Sequence, residues 1–440
     1  GIRFQGSSGS VRHCRIEADP ASGTGYGLVL DSNSRGHIYR NDFLSAGGSA
    51  IAVFSADALI QGNVIDGRSS LDLFPGHGIL AASTGNLGLF DNRIQGVGFF
   101  RDSALRFSSS SALLSWSIID NLPGTGTDAI LVRSPLSRLK LYQDRIHTVG
   151  RNGIRIREGA NVTLEAVTIE GADAAGLLLE PGTLAEGKRL RLTENGSGLV
   201  ARESLLLLSD SLIAHSSGHG VSLTDSQIFL TNATIADNGR GGVVASAPTA
   251  GRISNSIIFG NVTFDLSGIP ADDIQFSLLG SSELEGLQGN ISANPLFRDP
   301  SSGDFRLRPG SPAIDAGDNT QAESSFDLLG NQRIVDGPGS DRGQIDMGAL
   351  EAYSSSAPSW ILPLLRTSQE PAFTGLAFAE ANPLAAEPTR IQIRHFHPAG
   401  LPGENRNLQT DPESQISRLV SEVVGTVDEG WLQISPTSTD

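Results

Sequence analysis

Five arginines, Arg106, Arg133, Arg155, Arg157 and Arg202, fall at matching places in short runs whose apolar residues alternate. In Gly153-Ile154-Arg155-Ile156-Arg157 the isoleucines point one way and the arginines the other, because strand side chains alternate between faces. The same count turns the other three outward on neighbouring turns of the chain. Guanidinium forks match carboxylates and sulfates. The expected chemistry is a row of subsites for an acidic polysaccharide. Such a strip stands out in a chain of net charge −16, with 32 basic against 48 acidic residues. The same outward positions hold Val29, Leu80, Leu131, Leu178, Val200 and Val244, so an apolar stripe is expected on that face as well.

A second group of residues is acidic. Residues 270–350 contain 13 Asp and Glu against five Arg, a net of −8. Asp315, Asp318, Asp327 and Asp346 offer oxygen ligands of the kind Ca²⁺ takes, and Ca²⁺ is the one cofactor the sequence suggests. Ion pairs to Arg333 and Arg342 and Asp-Gly turns are the competing account of the same residues. Other chemistry is thin. Asp66, Asp91, Asp102, Asp120 and Asp144 each stand alone near turns, where glycoside hydrolysis needs paired carboxylates. His77 and His147 belong to different repeats. His215 with His219, and His395 with His397, lack a third metal ligand. No catalytic residue is assigned.

The elements that position these residues are short and repeated. A small residue followed by an alternating apolar run recurs eleven times, from Gly1-Ile2-Arg3-Phe4 to Gly242-Val243-Val244-Ala245, at steps of 22 to 28 residues. About ten residues later comes a second run, such as Val162-Thr163-Leu164, and then a third apolar point, such as Ile169. Period-two alternation means strands with one buried face, and Gly, Asn, Asp and Ser supply the turns. Three short strands per unit cannot pair within it. They pair between units, which gives a parallel β-helix. The fold class expected is all-β, a right-handed parallel β-helix solenoid of about eleven coils followed by a small β-sandwich-like domain. The handedness follows the crossover rule.

These repeats resemble the pectate-lyase-like family of right-handed parallel β-helices. Asn41, Asn63, Asn92, Asn232 and Asn255 precede apolar points, and family members often stack Asn at such a turn. The resemblance also implies that the first-strand face carries the groove. In family lyases a base abstracts a proton α to a uronate carboxyl, which would make Arg155 the base candidate with Arg133 and Arg157 as charge partners. Arginine is a poor base at ordinary pH. A sharper likeness spans Asn294-Pro295-Leu296-Phe297, Ser311-Pro312-Ala313-Ile314-Asp315 and Asp346-Met347-Gly348-Ala349-Leu350-Glu351. It resembles the closing segment found after bacterial extracellular β-helices that end in surface-anchoring modules. It implies a secreted or cell-surface protein.

The domain reading is 1–293 β-helix, 294–353 closing segment, 354–359 linker and 360–440 β-sandwich-like accessory domain, with both ends looking cut. The acidic balance argues against nucleic acid, whose phosphates need a basic footprint. No apolar run approaches the ~20 residues of a membrane span. Cys14 stands alone, so no intrachain disulfide is expected. Asn161, Asn195, Asn232, Asn261 and Asn290 fit the glycosylation sequon, but Asn in turns beside Ser or Thr is what such a fold supplies in any case. The expected function is a β-helix binding glycans or a neighbouring protein, as an adhesin or matrix component. A polysaccharide lyase or hydrolase and a rigid stalk or filament subunit are the alternatives. The expected partner on the first-strand face is an acidic polysaccharide or another protein.

Overall fold

A computed structural model describes residues 1–17, 26–44, 49–67, 76–96, 103–122, 126–246, 251–334 and 343–352, and the backbone of six strands beyond them. Within residues 1–352 the chain winds as a parallel β-helix. Each coil gives one strand to each of three sheets, and every strand pairs in parallel with its copies one coil before and after. Among the described residues the first and second sheets have 12 strands and the third 13. The twelfth strand of the first sheet, Phe264–Ser267, lacks the small-apolar phrase that marks the eleven counted in the sequence.

The small residue that opens each phrase has a steric cause. It sits where the chain turns from the third sheet into the first. A Cβ at Gly198 would lie 2.2 Å from the Ile213 Cγ2 and 2.6 Å from the carbonyl oxygen of Gly220. The inward residues of all three sheets form one continuous apolar core, with Leu28, Ile51, Ile79, Ile130, Ile154 and Leu177 stacked along the first sheet.

The corner between the second and third sheets is built differently. Each coil has one residue there in the left-handed region, among them Gly62, Asp91, Trp116, Gln143, Ala166, Asn232 and Asn255. The residue that follows faces inward, and where it is polar it joins a ladder. The Asn63 Oδ1 accepts from the Asn41 N–H (2.9 Å) and Nδ2 (3.0 Å). The Asn92 Oδ1 accepts from the same groups of Asn63. The ladder continues through Ser117 to Asp144. Asn41, Asn63 and Asn92 stack as expected. Asn232 and Asn255 do not, because they occupy the left-handed corner itself, which Asn tolerates. Their amides donate instead to the carbonyls of Asp346 and Asp318. A second ladder follows the third sheet, where Asn238 bonds to the Oδ1 of Asn261 and Ala172 to that of Asn195. Asn195, Asn232, Asn261 and Asn290 are buried, so the sequon reading fails for those four in the folded chain.

The closing segment packs on the outer face of the third sheet. Phe297, Phe305, Leu307, Met347 and Leu350 join Leu212, Ala214, Ala236 and Ile257 in a second core. Residues 1–352 form one compact unit and residues 353–440 another. In the latter, Trp360–Leu364, Gly430–Thr437, Thr389–Phe396 and Pro402–Thr410 form an antiparallel sheet in that order. Gly375–Ala379 pairs antiparallel with Gln415–Leu419. The linker 354–359, Asp102, Arg342 and His397 lie outside the described residues.

Candidate functional site

The expected arginine strip on the first sheet exists as geometry. In register, Arg106 opposes Leu131, Leu131 opposes Arg155, and Arg133 opposes Arg157. As a basic strip it does not hold. The Arg133 Nε and Nη2 lie 3.0 and 2.7 Å from the two carboxylate oxygens of Glu158. The Arg155 Nε is 2.7 Å from the Glu180 Oε1, and its Nη1 is 3.7 Å from the Asp128 Oδ2. Arg157 lies 3.3 Å from Glu158 and 3.5 Å from Glu180. Three acids thus neutralise the central three arginines. Arg106 lies two coils before Arg155 in its row. Arg202 stands one coil beyond Glu180, exposed.

The long open apolar stripe is not formed either. Leu131 and Leu178 keep only 4 % and 9 % of their surface. Each stands in register beside Arg155, one strand away at about 4.8 Å.

The acidic group is structural. Arg333 is fully buried; its Nε lies 2.6 Å from the Asp210 Oδ1 and its Nη1 3.1 Å from Glu351. Asp327 accepts from the backbone N–H groups of Leu329, Asn331 and Glu351. Asp346 accepts from those of Asp315 and Ala352. Asp318 caps a short turn through Thr320. Burial pushes the carboxyl of Asp346 up to about 7 and that of Glu351 up to about 8. Among the described residues no group of three or more His, Cys, Asp or Glu, Asp315, Asp318, Asp327 and Asp346 included, is gathered as for a metal ion. His215 and His219 also part company. One stacks near Phe305 and lies 4.0 Å from Asp237; the other accepts from the Gly241 N–H.

The third sheet carries the cleft. A cavity of about 710 Å³ opens on its outer face, lined by Asp144, Arg145, Thr168, Glu170, Arg191 and His215 among others. Ser301, Ser302 and Gly303 of the closing segment form one wall. That volume lies within the range of small-molecule sites. Arg145, Thr168 and Arg191 occupy one outward row in register, and His147, Glu170 and Thr193 the adjacent one. Arg145 is loosely held, 4.0 Å from Glu170 and with 63 % of its side chain exposed. The Arg191 side chain makes no hydrogen bond or close ion pair with a described residue, while its backbone N–H donates to the carbonyl of Val167 at 3.0 Å. Burial holds its guanidinium below the usual range, against the longer-range pull of Glu170 and Asp304. Beside the cleft, the His147 Nδ1 is 3.4 Å from the Asp120 Oδ1 and its Nε2 4.0 Å from the Glu170 Oε2. Burial also pushes the Asp144 carboxyl, at the cleft floor, up to about 7.

None of this cleft was expected from the sequence, apart from single mentions of Asp120, Asp144, His147 and His215. The run Leu190-Arg191-Leu192 shows that Arg191 points outward. What it cannot show is that a segment more than 100 residues later roofs that position.

Together these features define a right-handed parallel β-helix with a capped lateral cleft. Residues 1–128 match the sequence model of the family described as the right handed beta helix region. Among solved structures the chain is similar to the Azotobacter vinelandii mannuronan C-5 epimerase AlgE6 A-module, at 16 % identity and a TM-score of 0.40, over 66 % of this chain and 91 % of that one. It is also similar to the periplasmic alginate epimerase AlgG, at 10 % identity and a TM-score of 0.31, over 60 % of this chain and 77 % of that one. No curated protein matches the sequence.

Proposed function

We propose that this is an exported β-helix protein that binds an acidic polysaccharide in the cleft of the third sheet. The observation that carries the reading is Arg191, a half-buried cation whose side chain makes no hydrogen bond or close ion pair among the described residues, turned into a cleft of ligand size. A guanidinium whose donors are unused and whose water is partly stripped gains most from a carboxylate fork. Arg145, two coils away, offers a second cation. Gln143, Thr168, Glu170, Thr193 and Ser301 supply the mixed donors and acceptors that sugar hydroxyls need. The closing segment supports export by the resemblance of its sequence. The test is calorimetric titration with oligomers of pectate, alginate and chondroitin, against a neutral glucan. Binding of the acidic glycans that survives Arg191→Gln unchanged would remove the reading.

One observation favours catalysis on the same glycan. His147 is bracketed by two carboxylates on the sheet face beside the cleft, which is the placement a general base needs. A lyase would release unsaturated product, seen as ultraviolet absorbance. Absence of product across the three acidic glycans removes the lyase option and leaves binding intact.

A further inference from the structure

We infer that the glycan path continues beyond the cleft along the third sheet toward the N-terminal coils, with Trp116 as a sugar-stacking platform and Arg93 as the next carboxylate anchor. This rests on the acidic-glycan reading of the cleft. Arg93, Ile118, Arg145, Thr168 and Arg191 form one outward row, each in register with the next. Arginine therefore recurs at every second coil, about 9.6 Å apart. That is the length scale of a disaccharide unit. In a two-fold polyuronide every second carboxylate faces the same side, and each would meet an arginine.

Between Arg93 and Arg145 the surface turns apolar. Ile118 is 38 % exposed and Trp116 40 %. Trp116 occupies the left-handed corner, at φ 60°, and its counterpart one coil on is Gln143, which lines the cleft. Its N–H donates to the carbonyl of Tyr142 at 3.2 Å, so the backbone there is fixed to the next coil. Left-handed backbone is costly for a bulky residue, and an exposed ring returns little by packing. An indole held open beside a row of cations suits the apolar C–H face of a sugar ring. Arg93 keeps 53 % of its side chain exposed while touching Gln95 and, at 3.6 Å, Asp120. Trp116 is also the sole tryptophan before residue 353, since Trp360 and Trp431 lie beyond it.

The experiment titrates short acidic oligomers that the cleft alone can hold, and long ones that span the row. The proteins are wild type, Trp116→Ala, Trp116→Phe, Arg93→Gln and Arg191→Gln. Trp116→Ala and Arg93→Gln should leave short oligomers unchanged and weaken long ones about five- to tenfold. Trp116→Phe should restore much of the loss, and long oligomers should quench tryptophan emission in wild type but not in Trp116→Ala. If Trp116→Ala and Arg93→Gln bind long oligomers like wild type while Arg191→Gln loses both lengths, the extended path is wrong and the cleft stands. If Arg191→Gln binds every length like wild type, the cleft reading fails first and this inference with it. A thermal melt of each variant separates loss of binding from loss of fold.

Discussion

Replacing Asp144 by Asn should make the protein more stable, by a margin that grows as pH rises from about 4 toward 7 and then levels off. The carboxylate oxygens of Asp144 accept from the backbone N–H groups of Ser117 (2.8 Å) and Tyr142 (3.0 Å). Those bonds do not offset burial, which raises its pKa from 3.8 to about 7. The folded chain thus prefers the neutral acid. A carboxyl with a raised folded pKa contributes stability that is fully present below 3.8 and is lost as pH rises through about 7. That span corresponds to roughly 4 kcal/mol at about 1.4 kcal/mol per pH unit, an upper bound for one relaxed site. Asn stays neutral throughout, and Asn already fills this ladder position at 41, 63 and 92. Urea unfolding followed by circular dichroism, at intervals from pH 4 to 8, measures the difference. At pH 4 the two proteins should agree within about 1 kcal/mol, and at pH 8 the variant should lead by about 2 to 4 kcal/mol. Asp346 and Glu351 titrate over a similar range but are present in both proteins, so they cancel in the difference. A gap that stays constant across pH would refute the buried-acid reasoning.

Arg333→Met leaves Asp210 and Glu351 buried without their cation, and should cost about 3 to 5 kcal/mol in thermal or urea unfolding. An unchanged midpoint would mean that this cluster does not hold the closing segment. Asn63→Ala strips the Asn41 N–H and Nδ2 of their acceptor and should cost about 1 to 3 kcal/mol; loss of protection at the Asn41 amide in hydrogen exchange is the local readout. Expressed in a glycosylating host, the folded protein should carry no glycan at Asn195, Asn232, Asn261 or Asn290, and glycopeptide mass spectrometry that finds one there contradicts their burial.

The solenoid was legible because its causes are local. Small residues mark one corner, period-two runs mark the strands, and the inward isoleucines need no distant partner. The ladder was legible where Asn follows the corner and misread by one position at Asn232 and Asn255. There the corner residue and the ladder residue, Ala233 or Ser256, are interchangeable by composition alone. The arginines of the first sheet were placed on the right face. Their neutralisation was missed because Glu158 and Glu180 follow the strands, and stacking brings Glu158 to Arg133 and Glu180 to Arg155 across 25 residues each. The Asp residues of the closing segment read as cation ligands because their spacing says nothing of Arg333 or of the backbone N–H groups they meet. The cleft escaped notice for a similar reason: it exists only where residues 301–303 stand over the third sheet.

The central claim is that an acidic glycan binds through Arg191 on the third sheet and not through the arginines of the first. One titration of an acidic oligosaccharide against wild type, Arg191→Gln and the double variant Arg155→Ala with Arg157→Ala tests it. The account predicts that Arg191→Gln weakens binding at least about tenfold, the loss of one charge-assisted fork. The double variant should bind like wild type. Loss of binding in the double variant, with Arg191→Gln unaffected, would contradict it and return the site to the first sheet.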